Sequence, residues 1–167
     1  MSLLPELQEV IDREIPVCRV MGMRLATESD EQLATDGLRV VMPLEINRNH
    51  QGTAFAGSLN ALCTLAGWAM TWLQLRQLHD AGRGVPSVEP GAIVIRRSKI
   101  QYNSPVLSEV VLARCLPPDQ TTCEHFAGML AAKGQTKLGL TVEIAGPTPE
   151  RPAVLLDGTY VVLPPGE

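Results

Sequence analysis

Residues 57–78 constrain this chain more than any other segment. Leu59, Leu62, Cys63 and Ala66 recur at helical spacing, and Leu65, Trp68, Ala69 and Trp72 cover most of the remaining circumference. A helix apolar on nearly every side must be enclosed by other elements. At ~1.5 Å per residue it would be about 33 Å long. Asn60, Thr64, Thr71, Gln74, Arg76 and Gln77 interrupt it too often for a span of ~20 residues through hydrocarbon, so the segment is expected to lie inside the protein. One sheet covers one side of such a helix, and a second copy of that sheet, supplied by a symmetric dimer, would cover the rest.

The flanking sequence supplies the sheet. Residues 3–14 predict a short amphipathic helix stopped by Pro16, and residues 18–28 and 33–44 predict two strands around a polar turn at 28–32. After the central helix, ended by Gly82, Gly84 and Pro86, strands are expected at 92–102, 107–116, 135–145 and 153–163. Asn103-Ser104-Pro105 reads as a bend. Asp119 is placed to cap a helix that ends near Lys133-Gly134. Residues 135–145 alternate most clearly, with Leu138, Leu140, Val142 and Ile144 on one face, before Pro147 and Pro149 break the strand. Gly158 is a candidate bulge in the last strand. No repeat or linker divides the 167 residues, so a single domain is expected over 1–167 with its core at 15–163.

Composition excludes several function classes. With 45% apolar and 19% charged residues the chain has neither the low hydrophobicity nor the high charge of disorder. A net charge of −4 and 4% aromatic residues argue against a nucleic-acid partner, and no membrane partner is expected. Cys18, Cys63, Cys115 and Cys123 form no close pair and read as reduced thiols of a cytoplasmic protein. The acidic, polar N-terminal residues do not resemble a signal peptide. His50, His79 and His125 lack metal-ligand spacing, so neither metal nor cofactor is expected. Serine-elbow, P-loop and dinucleotide-binding patterns are all missing.

Chemistry concentrates in residues 47–58, Asn-Arg-Asn-His-Gln-Gly-Thr-Ala-Phe-Ala-Gly-Ser, directly before the apolar helix. The first turn of a helix presents free N–H groups and the positive end of its dipole. The amides near Ala56, Gly57 and Ser58 are therefore candidates to bind a carbonyl oxygen as it gains negative charge, unless Gly52 and Gly57 only allow tight packing. His50 is either a general base that orients water or a loop histidine bonded to backbone. Asn47, Asn49 and Gln51 either position water or a carbonyl group, or build turns. Asn60 and Thr64 share a helix face one turn apart, where they line a site or bond within the helix.

The stretch NHQGTAFAGSLNALCTLAGW at 49–68, together with Ser-Lys-Ile-Gln-Tyr-Asn-Ser-Pro-Val at 98–106, resembles the YiiD C-terminal thioesterase-like family in its stand-alone form. The resemblance covers roughly residues 15–163. It implies an α+β hotdog fold, an antiparallel sheet wrapped around one long central helix. It also implies a homodimer, with a tetramer left open, that hydrolyses thioesters of acyl-CoA or acyl carrier protein beside the N-terminus of that helix. Many such enzymes begin the helix His-Gly-Gly and carry a carboxylate one to two turns later. Here Phe55-Ala56-Gly57 takes the first position and Thr64 the second, so the carboxylate is missing. A catalytic set of His50, Gly57, Ser58, Asn60 and Thr64 is expected, with Asn47, Asn49, Gln51, Gly52, Phe55, Ala56, Arg96 and Tyr102 touching substrate. Strand alternation puts Arg96 and Tyr102 on one face, and Arg97 and Lys99 on the other. A non-catalytic acyl-thioester-binding module and a hotdog dehydratase are the alternatives.

Overall fold

The computed structural model describes residues 2–82, 93–148 and 150–164. The chain opens with α1 (Leu4–Glu14), whose Leu4, Leu7, Val10 and Ile11 form one buried face. Pro16 does more than stop that helix. It occupies the first turn of α2 (Pro16–Val20), where its missing N–H costs nothing. The expected strand at 18–28 is thereby reduced to β1 (Arg24–Leu25), paired with two residues of β2 (Leu38–Pro43). The expected turn at 28–32 opens a helix instead, α3 (Asp30–Asp36). Ser29 Oγ accepts from the Gln32 N–H at 3.1 Å, and Gln32 Oε1 accepts from the Glu28 N–H at 2.8 Å. These reciprocal bonds satisfy donors that a strand start would leave free. Gly37, at φ 85°, then turns the chain into β2.

After the single turn α4 (Leu44–Asn47), the central helix α5 runs Ala56–Asp80. Gly82, at φ 67°, ends it, while Gly84 and Pro86 fall outside the described residues. The later elements are β3 (Ile93–Tyr102), β4 (Val110–Cys115), α6 (Gln120–Lys133), β5 (Thr136–Ile144) and β6 (Val154–Val162). Ala92 and Pro149 also fall outside. The expected strand at 107–116 is shorter at its start because residues 104–109 run irregularly past the segment before α5, where the Val106 carbonyl accepts from the Ala54 N–H. The helix at 120–133 has the ends its sequence implies. Asp119 Oδ1 accepts from the Thr122 N–H at 2.8 Å, and Gly134 is left-handed at φ 66°.

The six strands form one antiparallel sheet in the order β1-β2-β4-β5-β6-β3. α5 packs across β2 to β6, giving the α+β architecture of a central helix in a curved sheet. Leu62, Trp72 and Leu73 of α5 share a core with Leu38, Met42, Leu138 and Leu156. On its other side α5 meets α1, and Arg76 of α5 pairs with Glu6 at 3.2 Å. The chain therefore covers much of the helix face that the sequence left to a second copy. In the first half of α5 the partly open positions form a stripe, Gly57, Asn60, Ala61, Thr64 and Trp68.

The bulge sits in β3, not at Gly158. Ile95 pairs with Tyr160 and Arg97 with Thr159, so Arg96 is the extra residue, while Gly158 keeps regular partners in Ser98 and Leu140. One extra residue reverses the face of everything after it. Among the described residues no helix is long and apolar enough to cross a membrane.

Candidate active site at the start of the central helix

Phe55 is the N-cap residue of α5, and no side chain caps the helix. The first helical bond runs from the Leu59 N–H to the Phe55 carbonyl at 3.0 Å, which puts the Ala56, Gly57 and Ser58 amides ahead of the ladder. Gly57 lies beneath the exposed Phe55 ring, which a side chain at 57 would push aside. A Cβ there would lie 2.4 Å from the Phe55 ring, which folds back over the first turn. The segment before the helix is fixed by asparagines. Asn47 is buried, and its Nδ2 donates to the carbonyls of Met21 and Pro43, both at 2.8 Å. Its own carbonyl accepts from the Phe55 N–H at 2.8 Å. Asn49 Oδ1 accepts from the Gln51 and Thr53 amides, and its Nδ2 donates to Thr53 Oγ1. Tyr102 Oη donates to the Ala56 carbonyl at 3.2 Å, tying β3 to the helix start.

A cavity of about 370 Å³ opens beside this first turn. That is within the usual range of small-molecule sites, ~300–1,000 Å³. Gly57, Asn60 and Thr64 form one edge, and Met21, Met23, Leu65, Trp68, Ile95 and Tyr160 supply largely apolar walls. Thr64 Oγ1 donates to Asn60 Oδ1 at 3.3 Å, so the Asn60 amide nitrogen keeps both protons for another acceptor and the Thr64 oxygen keeps lone pairs. Tyr160 Oη donates to the Thr64 carbonyl at 3.1 Å, at a place where Gly67 leaves room for its ring.

The structure thus brings Gly57, Asn60 and Thr64 to one cavity, with Ala56 and the buried Ser58 in the same helical turn and Tyr102 on the Ala56 carbonyl. His50, Gln51 and Gly52 lie on an exposed turn and do not line the cavity. Phe55 is exposed and does not line the cavity, and Asn47 and Asn49 spend their side chains on backbone and turn. Arg96 and Tyr102 do not share a face, because the bulge turns Tyr102 toward α5 and leaves Arg96 lining a different cavity. Tyr160 and the wall from Cys18 to Met23 were not anticipated. The one local trace of Tyr160 is Gly67, a helix-interior glycine inside an otherwise bulky segment.

None of the described residues lining the cavity is a carboxylate, histidine or lysine. Its titratable groups are Cys18 and Tyr160. Burial, helped by Asp12, pushes the Cys18 thiol up to about 11, and burial holds the Tyr160 hydroxyl well above the ordinary phenol range. Both are protonated at neutral pH, so Cys18 offers no thiolate nucleophile. Among the described residues no three histidine, cysteine or acidic side chains converge on a point.

Residues 4–164 match the family model described as "putative thioesterase (yiiD_Cterm)". The chain belongs to that family. Solved structures similar to this YiiD C-terminal domain span nearly all of it. A "putative thioesterase" from Shewanella oneidensis is 28% identical, with a TM-score of 0.74 over 97% of this chain and 98% of that one. A protein of unknown function from Chlorobaculum tepidum is 24% identical, with a TM-score of 0.80 over 97% and 94%. A Pseudomonas aeruginosa protein titled "probable thioesterase" shares the fold at 15% identity, with a TM-score of 0.66 over 95% and 94%. The fold is the hotdog fold, shared with thioesterases.

Proposed function

We propose that this YiiD C-terminal domain hydrolyses the thioester of acyl-CoA or acyl carrier protein, with the carbonyl held at the start of α5. The observation that carries the reading is the uncapped first turn of α5 opening on an apolar cavity edged by Asn60 and Thr64. The acyl chain fills the apolar part. The carbonyl oxygen accepts from the Gly57 and Ser58 amides, whose dipoles stabilise the charge it gains. Water, placed between the Thr64 oxygen and the Asn60 amide, attacks the carbonyl carbon. The carbon–sulfur bond breaks, the acyl group leaves as a carboxylic acid, and the sulfur takes a proton to leave as a free thiol. Asn60 and Thr64 hold the water in this reading because they reach the cavity and His50 does not.

A homodimer belongs to the same reading. Among the described residues β3 is an outermost strand of ten residues with Val94 and Ile95 exposed, and an edge of this length invites pairing with a second copy. The test is release of free thiol from a panel of acyl-CoA and acyl-carrier-protein thioesters, with Asn60→Ala and Thr64→Val beside the parent chain. Turnover that falls tenfold or more in each, ~1.4 kcal/mol, supports the assignment. Turnover unchanged in both overturns the role of those side chains.

One observation favours a second reading, an acyl-thioester-binding module without turnover: the cavity has no group to act as general base among its described lining. Calorimetry on intact acyl-CoA separates the two. Tight binding with no thiol released selects the binding module.

A further inference from the structure

A second cavity, of about 210 Å³, lies on the side of the sheet turned away from α5. The register shows the side. Lys137 of β5 stands opposite Val161 of β6, and their neighbours Leu138 and Tyr160 are the residues buried against α5. α6 forms one wall with His125, Met129 and Lys133, spaced by four along one helix face. Arg96 enters from the β3 bulge. Three permanent cations and a histidine, from three elements, thus line one cavity that holds no acidic residue among its lining, in a chain of net charge −4. Arg96, His125, Lys133 and Lys137 take part in none of the ion pairs found among the described residues. Two acidic side chains nearby in sequence or register do not line the cavity. Glu124 accepts from Gln120, and Asp157 accepts from Thr141.

We propose that this cavity is a binding site for a phosphate monoester. Cations gathered without counter-charges repel one another, and a dianionic oxyanion relieves that repulsion. Arg96 supplies the planar fork that bonds two phosphate oxygens at once, and Lys133 and Lys137 supply point charges. At ~30 Å³ per water the cavity holds roughly seven waters, enough for a phosphate group and part of its substituent. The site is separate from the cavity at the start of α5 and goes beyond the thioester reading. The phosphate has two sources that share this chemistry: a free phosphorylated small molecule, or the 3′-phosphate of CoA.

Calorimetric titration of the full chain with inorganic phosphate at low salt tests the site directly. The parent chain is expected to bind in the millimolar range or tighter, and Arg96→Gln, Lys133→Gln and Lys137→Gln to weaken binding about fivefold or more each. All three side chains are exposed, so their thermal melts are expected to match the parent and any loss to report on the ligand. Titration with CoA and with 3′-dephospho-CoA separates the sources. A preference for CoA that disappears in Arg96→Gln assigns the CoA phosphate. No preference, with inorganic phosphate still bound, assigns a free phosphorylated ligand. Absence of heat with about 20 mM phosphate, weaker than any affinity such a site requires, overturns the proposal, as does equal binding by parent and variants. Inorganic phosphate carries no thioester, so this result stands or falls apart from turnover on acyl-CoA.

Discussion

Replacing Gly67 by Ala tests the packing that holds the candidate site. Alanine in place of glycine in a helix interior ordinarily stabilises by about 0.5–1 kcal/mol. At Gly67 the sign is expected to reverse. A Cβ there would stand 2.2 Å from Tyr160 Oη and 2.4 Å from the ring carbon that bears it. Tyr160 is fully buried, and its hydroxyl is held on the Thr64 carbonyl at 3.1 Å. To clear the new methyl the ring must shift from its packed position. Overpacking of this kind costs about 1–3 kcal/mol. Displacing the hydroxyl also breaks its bond to the Thr64 carbonyl, worth ~1 kcal/mol. Set against the helix-propensity gain, the net loss is about 2 kcal/mol, or roughly 4–8 °C in Tm for a domain of this size. Urea denaturation at fixed protomer concentration measures it, since dimerisation would make the midpoint depend on concentration. Tyr160→Phe is expected to lose only the hydrogen bond. The double variant is expected to stay destabilised, because the ring carbon still meets the new methyl. Gly67→Ala as stable as the parent, or more stable, would refute the packing.

Two further outcomes follow from the titrating groups. Burial raises Cys18 to about 11 and Cys63 to about 12, against 9.0 for an unfolded thiol, so the unfolded chain loses these protons first as pH rises. Stability is expected to be intact below pH 9 and to fall between 9 and 11–12, by about 1.4 kcal/mol per pH unit per thiol; denaturant midpoints that do not move from pH 8 to 10 would contradict it. If the α5 cavity carries turnover, kcat is expected to be flat from pH 5.5 to 8.5, because its titratable groups, Cys18 and Tyr160, are both protonated throughout. A limb inside that window would refute the reading.

How much of this was legible in the sequence depended on the distance over which each signal acts. α5 and β5 could be read because one period runs through many residues: thirteen positions of α5 are buried, and β5 alternates without a break. The ends of α6 could be read because Asp119 and Gly134 act on their own helix. Residues 18–36 misled because their scattered apolar residues suggest strands, while Pro16 and the Ser29–Gln32 pair dictate helix starts through bonds three and four residues long. The site divides in the same way. Gly57, Asn60 and Thr64 share a face by helical spacing, and the cavity lies along it. Tyr160 is 96 residues from the carbonyl it bonds, and no local pattern connects them. The pairing of Arg96 with Tyr102 failed because alternation assumes a period of two, and a single bulged residue breaks that assumption without a trace in composition.

The same division bears on how fast a site of this composition can work. A positioned general base contributes about 10²–10⁴-fold, and the described lining of the α5 cavity contains no side chain of that kind. One preorganised donor at a developing oxyanion is worth about 10²–10³-fold, and here the donors are backbone amides whose placement is a property of the helix start. That placement rests on Asn47 clamped to two carbonyls and Tyr102 on the Ala56 carbonyl. Catalysis by such a site would be carried mainly by geometry. Substitutions that shift the first turn of α5, at Asn47, would then cost more than removal of any polar side chain in the cavity. In that mechanism Thr64 and Asn60 would orient only the water, so their loss would lower the rate of a reaction that the helix terminus would still support.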